Sequence, residues 1–234
     1  MIKYASNALL ASLVSFSNEL ANLGAAIGEV DTVDVMRGVR LSQYFRTRDK
    51  DGEPPITSFL AAGCGFGGSC LPKDVSALVA HGKSIGIDMP LLDSVLTINR
   101  KQSGKTVDLL RKHWPDLRGV RVTMLGLSFK PGTNDVRESP AFPIMRELLQ
   151  AGAVVKAHDP VANAEAAKLL PADRVELCES LEAALHEIDA VMLITPWSIY
   201  GSLPELLRDR DVVVVDARRW LPKESFAKYE GTGL

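Results

Sequence analysis

The stretch GFGGSCLPKD, residues 65–74, sets Cys70 between a run of glycines and a Pro-Lys-Asp. Thiol reactivity belongs to the thiolate, which positive charge and the N-terminus of a helix both favour. Pro72 suits the first turn of a helix, so Cys70 falls just ahead of one, with the Lys73 cation close by. Asp74 follows close to one helical turn after Cys70. Gly63, Gly65, Gly67 and Gly68 allow a ligand to approach the main chain closely. These features suit a nucleophile. A free cysteine is also commonly a small buried hydrophobe, and the residues alone leave both readings open.

Other chemistries fit this stretch less well. GCGFGG (63–68) formally matches G-x-G-x-x-G, but that fingerprint requires a preceding strand inside a βαβ unit, and the neighbourhood here reads as helical. Cys64 and Cys70 form no C-x-x-C pair and His81 is the nearest imidazole in sequence, so no metal site is predicted. Lys3 and Asn7 stand at i and i+4 and share one helix face, which by itself reads as a solvated surface. Lys130, in the run FKPG, and Arg137 follow a strand, and Arg218 and Arg219 end another. Basic residues beyond the carboxyl ends of parallel strands suit a phosphate or pyrophosphate, and a solvated basic rim fits them equally.

Positioning these groups requires helices in the first half of the chain and a sheet in the second. Leu9, Leu13, Phe16, Leu20 and Leu23 recur at spacings of four and three, which predicts one buried seam on a first helix. Gly24 and Gly28 loosen its end, and Asp31-Thr32 caps a short second helix reaching about Val39. Residues 46–58, charged and carrying glycine and prolines, predict an exposed loop. Further helices run from Pro72 to about Ile85 and from Pro90 to about His113, where Trp114-Pro115 ends the run. Strands are predicted at 120–125, 153–158, 189–195 and 211–217, with a weaker one near 175–177. Helices fill the gaps at about 139–151, 162–170, 180–186 and 203–208. Strands alternating with helices imply a parallel sheet covered on both faces. The predicted fold is therefore α plus α/β: an all-helical domain over 1–114, including a long connecting helix, and a Rossmann-like domain over 115–234.

Composition narrows the setting. With 27 Lys and Arg against 29 Asp and Glu, the net charge of −2 gives no reason to expect nucleic acid. No apolar run approaches the roughly 18 residues of a membrane span, and the N-terminus lacks the order of a signal peptide. An odd set of 3 cysteines in a chain of 234 residues predicts free thiols in a reducing cytoplasm.

Taken together the segments resemble the UDP-glucose/GDP-mannose dehydrogenase family. The signatures stand here as KYASNALLASLVSFSNE (3–19), GFGGSCLPKD (65–74), LGLSFKPGTNDVRESP (125–140), HDP (158–160), TPW (195–197) and DARRW (216–220), in family order. The resemblance implies oxidation of C6 of a nucleotide sugar from alcohol to carboxylate with two NAD⁺. It implies that Cys70 attacks the aldehyde intermediate to give a thiohemiacetal and then a thioester, which water hydrolyses. Lys3 then matches the lysine that stabilises oxyanion charge or assists proton transfer, Asn7 the asparagine that holds water and the reacting oxygen, and Asp74 the carboxylate that orients them and assists hydrolysis. Lys130 and Arg218 match residues that hold the nucleotide sugar, with Phe59, Phe66 and Gly67 at the loop under the sugar and diphosphate. Lys73 and Arg137 match positions on the NAD side. A homodimer through the central helical domain is implied too, with the 90–113 helix as a candidate contact.

Departures from the pattern carry expectations of their own. Family members begin with an NAD-binding domain that contributes a catalytic glutamate and a threonine, whereas this chain starts at Met1 inside the central helix and ends in the family-like YEGTGL. The expectation is that these 234 residues alone do not turn over. UDP-glucose enzymes commonly carry R-I-G-x-K-F-L-K-A before the glycine loop. Here PPITSFLAA places Pro54 and Ala61 at the arginine and lysine, with Arg46 or Arg48 as candidate replacements. UDP-glucose is the expected substrate because FLAAGCGFGGSC is nearest that form. GDP-mannose or another UDP-sugar is the alternative, as is a non-catalytic nucleotide-sugar-binding dimerisation module.

Overall fold

The computed structural model describes residues 1–45, 54–171 and 173–234. Arg46, Arg48 and most of the expected 46–58 loop lie outside the described residues. The described end of that segment is more ordered than its composition suggests. Pro55–Phe59 forms a 3-10 turn in which Thr57 is buried and donates its hydroxyl hydrogen to the Pro54 carbonyl at 2.6 Å.

The chain divides into two compact units, Met1–Gln102 with Thr232–Leu234, and Ser103–Gly231. The first unit holds α1 (Ile2–Ile27), α2 (Thr32–Arg40), α3 (Leu71–Ser84) and the start of α4 (Pro90–Arg111). Asp31 caps α2 by accepting the Val33 N–H at 3.0 Å. The seam expected on α1 is not the buried one. Leu9, Phe16 and Leu23 are about half exposed, and the face turned inward carries Ala8, Ala11, Ser15, Asn18, Ala21 and Gly24. Both stripes have helical period, and small side chains allow the closer backbone approach to α3, with which α1 makes its main contact. Gly24 likewise packs rather than loosens, because Thr32 and Val30 close over it. Phe66, Val75, Leu92 and Val95 complete the core of this unit.

The second unit is a six-stranded parallel sheet with order β3-β2-β1-β4-β5-β6. Its strands are β1 (Arg121–Leu125), β2 (Val154–His158), β3 (Val175–Leu177), β4 (Ala190–Leu193), β5 (Val213–Asp216) and β6 (Tyr229–Gly231). The helices α5 (Ala141–Gln150), α6 (Asn163–Ala167), α7 (Leu181–Ala184) and α8 (Leu203–Leu206) lie between strands in sequence. β4 and β5 are buried at every position, as strands covered on both faces must be. The sequence offered no alternation for β6, a strand of 3 residues paired with β5 from Val214↔Tyr229 to Asp216↔Gly231. The chain runs out along β1 to β3 and then returns to the opposite side with β4, so strand order reverses between β1 and β4. In open α/β sheets that reversal, at the carboxyl ends of the strands, is where ligands bind.

Candidate functional site

The first cluster is built on the head of α3. Cys70 is its N-cap and is exposed, while Cys64 and Cys178 are buried. The Asp74 N–H donates to the Cys70 carbonyl at 2.9 Å, closing the first helical turn between them. The Asp74 side chain is fully buried, yet it gathers polar groups from α1 and α3. Asn7 donates to its Oδ2 at 2.7 Å, Lys73 donates to its Oδ1 at 2.7 Å, and the Lys3 ammonium lies 3.6 Å from Oδ2. The hydrogen bonds from Lys73 and then Asn7 hold the carboxyl below the usual aspartate range against the opposing effect of burial. Its hydrogen bond raises Lys73 in turn, and the Lys73 ammonium also lies 5.8 Å over the Tyr4 ring. Lys3, Asn7, Lys73 and Asp74 thus come together one turn from an exposed thiol.

The glycine loop ahead of Cys70 is fixed by side chains that the sequence reading passed over. Asn99 on α4 accepts the Phe66 N–H at 2.8 Å and donates to the Phe66 carbonyl at 3.0 Å, a two-point clamp on the backbone of one residue. Gly65 makes this possible, with φ +99 and a position where a Cβ would stand 2.7 Å from the Asn99 Oδ1. Asn18 on α1 accepts the Gly63 N–H at 2.7 Å. Asn18 stands on the inward stripe Ala8-Ala11-Ser15-Asn18, and Asn99 follows Leu92 and Val95 on one face of α4, so an amide on an inward stripe was the available signal. The Phe66 ring itself is core, whereas Phe59 and Gly67 are half-buried.

The second cluster lies at the carboxyl edge of the sheet. Lys130 and Arg137 occupy the connection from β1 to α5, and Arg218 follows β5. Lys130 is exposed, its ammonium 5.6 Å over the Phe129 ring. Arg137 makes a bidentate pair with Asp135 at 2.9 and 2.7 Å, which holds Asp135 below its ordinary range. Arg218 donates from Nε to the Ile194 carbonyl at 2.8 Å, so the turn after β5 is tied to the end of β4. Asp216 supports the same turn by accepting the N–H groups of Arg218, Trp220 and Leu221 and the Tyr229 hydroxyl. Gly126 opens the β1 loop at φ +90, where a Cβ would lie 2.5 Å from Thr195, so the loops after β1 and β4 touch through bare backbone.

Neither glycine-containing loop fits a dinucleotide. GCGFGG lies between the 3-10 turn and α3, with no strand before it. The connection from Leu125 to Ala141 is long and does not turn directly into its helix as a phosphate-gripping βα loop does. Neither loop therefore supplies the glycine fingerprint of a dinucleotide site.

Strand order, switch point and basic edge define a Rossmann-type nucleotide-binding sheet, accompanied by a helical unit with a cysteine centre. Residues 1–101 match the central domain, and 123–223 the UDP binding domain, of the UDP-glucose/GDP-mannose dehydrogenase family. The chain belongs to that family. It is 42% identical over 222 residues to the UDP-glucose 6-dehydrogenase TuaD of Bacillus subtilis, covering 93% of this chain and 45% of that protein. It is 38% identical over 231 residues to the UDP-glucose 6-dehydrogenase AglM of Haloferax volcanii, covering 98% and 50%. A solved UDP-glucose dehydrogenase from the archaeon Pyrobaculum islandicum superposes with a TM-score of 0.85 at 38% identity, over 99% of this chain and 50% of that one. The chain spans about half the length of the curated relatives it matches.

Proposed function

We propose that this chain is the central and C-terminal portion of a nucleotide-sugar 6-dehydrogenase that oxidises UDP-glucose to UDP-glucuronate, with NAD⁺ as the acceptor and Cys70 as the nucleophile. The observation that carries the reading is exposed Cys70 at the head of α3, one turn from a buried Asp74 that holds Lys3 and Asn7. The Cys70 sulfur adds to the C6 aldehyde carbon, and the carbonyl electron pair moves onto oxygen. The Lys3 ammonium and the Asn7 amide are the groups suited to meet that oxyanion. Asp74, held ionised, anchors them rather than supplying a proton. By the family resemblance, Lys130 and Arg218 are assigned to the diphosphate, Phe59, Phe66 and Gly67 to the sugar, and Lys73 and Arg137 to the cofactor. The names of the relatives favour UDP-glucose over GDP-mannose.

The outward stripe of α1 supports a homodimer. Ile2, Leu9, Phe16 and Leu23 recur every seven residues and are 87%, 53%, 47% and 54% exposed, a seam of the kind that pairs with a second helix. The apolar residues of α4 are mostly inside, so the contact is assigned to α1. No helix among the described residues is long and apolar enough to cross a membrane, and the cysteines are free, which suits work in the cytoplasm.

Because no described loop suits a dinucleotide, the 234-residue polypeptide binds UDP-glucose without turning it over. The same observation favours a second reading, a nucleotide-sugar-binding dimerisation module without catalysis. Calorimetric titration of the chain with UDP-glucose and GDP-mannose is expected to show tighter binding of UDP-glucose and no NADH formation on adding NAD⁺. Failure to bind either sugar nucleotide would remove both readings, and NADH formation would refute inactivity.

A further inference from the structure

Asp159, directly after β2, is 2% exposed and pairs with no cation among the described residues. Its charge is met instead by hydrogen-bond donors from several loops. Oδ2 accepts from Leu127 N at 2.8 Å, Ser128 N at 3.0 Å, Ser128 Oγ at 3.0 Å and Trp197 Nε1 at 3.1 Å. Oδ1 accepts from Val161 N at 3.0 Å and Ala162 N at 2.9 Å. Ser128 is held again at its carbonyl, which accepts the Thr195 hydroxyl at 2.5 Å. One carboxylate therefore joins the loops after β1, β2 and β4 at the point where strand order reverses. Nothing in the cysteine chemistry uses it.

In a dinucleotide-binding sheet of this order, the first βα loop turns its N–H groups to a phosphate, and a later acidic residue takes a ribose hydroxyl. Here both groups are spent on each other. The loop amides of Leu127 and Ser128 point at Asp159, and the Asp159 oxygens are occupied by protein donors. Resting on the nucleotide-sugar reading above, we propose that Asp159 is an internal stand-in for that phosphate. It is a positioning residue that fixes the loop carrying Lys130 and leaves the ligand's diphosphate to side-chain cations. The loop beyond it is closed by Phe129 N–H donating to the Asp135 carbonyl at 3.0 Å, so fixing Ser128 also sets the start of the segment that presents Lys130. The arrangement accounts for a Rossmann-type sheet that keeps the ligand edge without the glycine fingerprint.

The test is titration of the full chain with UDP, comparing wild type with Asp159→Asn, whose amide keeps one acceptor and loses the charge. The indole N–H resonance of Trp197 follows the frame directly. Asp159→Asn, folded by circular dichroism, is expected to bind UDP about tenfold or more weakly. Its Trp197 indole resonance is expected to shift in the absence of ligand, which a role confined to distant packing would not produce. Wild-type UDP affinity in the folded variant overturns the inference. If wild type itself fails to bind UDP, the nucleotide-sugar reading falls and the inference with it, an outcome distinct from the first. If Asp159→Asn does not fold, Ser128→Ala and Trp197→Phe, each removing one donor to the carboxylate, decide the matter. Roughly threefold weaker binding in either supports the inference, and unchanged affinity in both overturns it.

Discussion

Cys70 is reachable from solvent, while Cys64 and Cys178 are 1% and 4% exposed. Burial, which comes first, and the nearby Glu176 charge push the Cys178 thiol further up. Brief alkylation of the native chain is therefore expected to label Cys70 alone by peptide mass spectrometry, with the other thiols labelled only after unfolding. Labelling of Cys64 at a comparable rate would contradict the placement of the glycine loop. Asp74 makes a different prediction. Its folded carboxyl lies below the ordinary value, so the stability it contributes is present above that value and is lost as pH falls through the folded one. The gap in melting temperature between wild type and Asp74→Asn should be widest near neutrality and close below about pH 4. Residue types alone left Cys70 open between buried hydrophobe and nucleophile. The convergence of Lys3, Asn7 and Asp74 depends on α1 lying beside α3, a contact between distant parts of the chain that no local spacing encodes.

At the scale of elements, the asparagine clamp and the glycine crossings hold the loops that carry chemistry. Asn99→Ala leaves the Phe66 peptide without its paired bonds and is expected to cost about 1–3 kcal/mol in urea unfolding, with Cys70 alkylating faster as the loop loosens. Gly126→Ala puts a Cβ against Thr195 at a positive φ, and a cost of about 2–4 kcal/mol is expected by the same measurement. The helices and the five earlier strands were legible because period, caps and prolines are local signals. β6 was not, since Tyr229–Gly231 becomes a strand only by pairing with β5. Asp159 appeared in the sequence only as part of HDP; its role rests on donors that fold in from the loops after β1 and β4.

For the molecule as a whole, the stripe on α1 shows the expected period without the expected burial. Leu9, Phe16 and Leu23 have the spacing of a buried seam, but within one chain the small-residue face fills that place. A single sequence cannot say whether a seam is met by its own chain or by a second copy. Phe16→Glu is expected to convert a dimer into a monomer in sedimentation equilibrium while leaving the circular dichroism spectrum unchanged. A wild-type chain that is monomeric at high concentration would remove the dimer. The central claim concerns Cys70, and UDP-glucose oxidised to the C6 aldehyde and labelled with carbon-13 there tests it without any cofactor. Wild type should give the carbon resonance of a sulfur-bound tetrahedral centre, and Cys70→Ser should give none. A resonance that persists in Cys70→Ser, or that is missing from wild type with the aldehyde bound, would contradict the account.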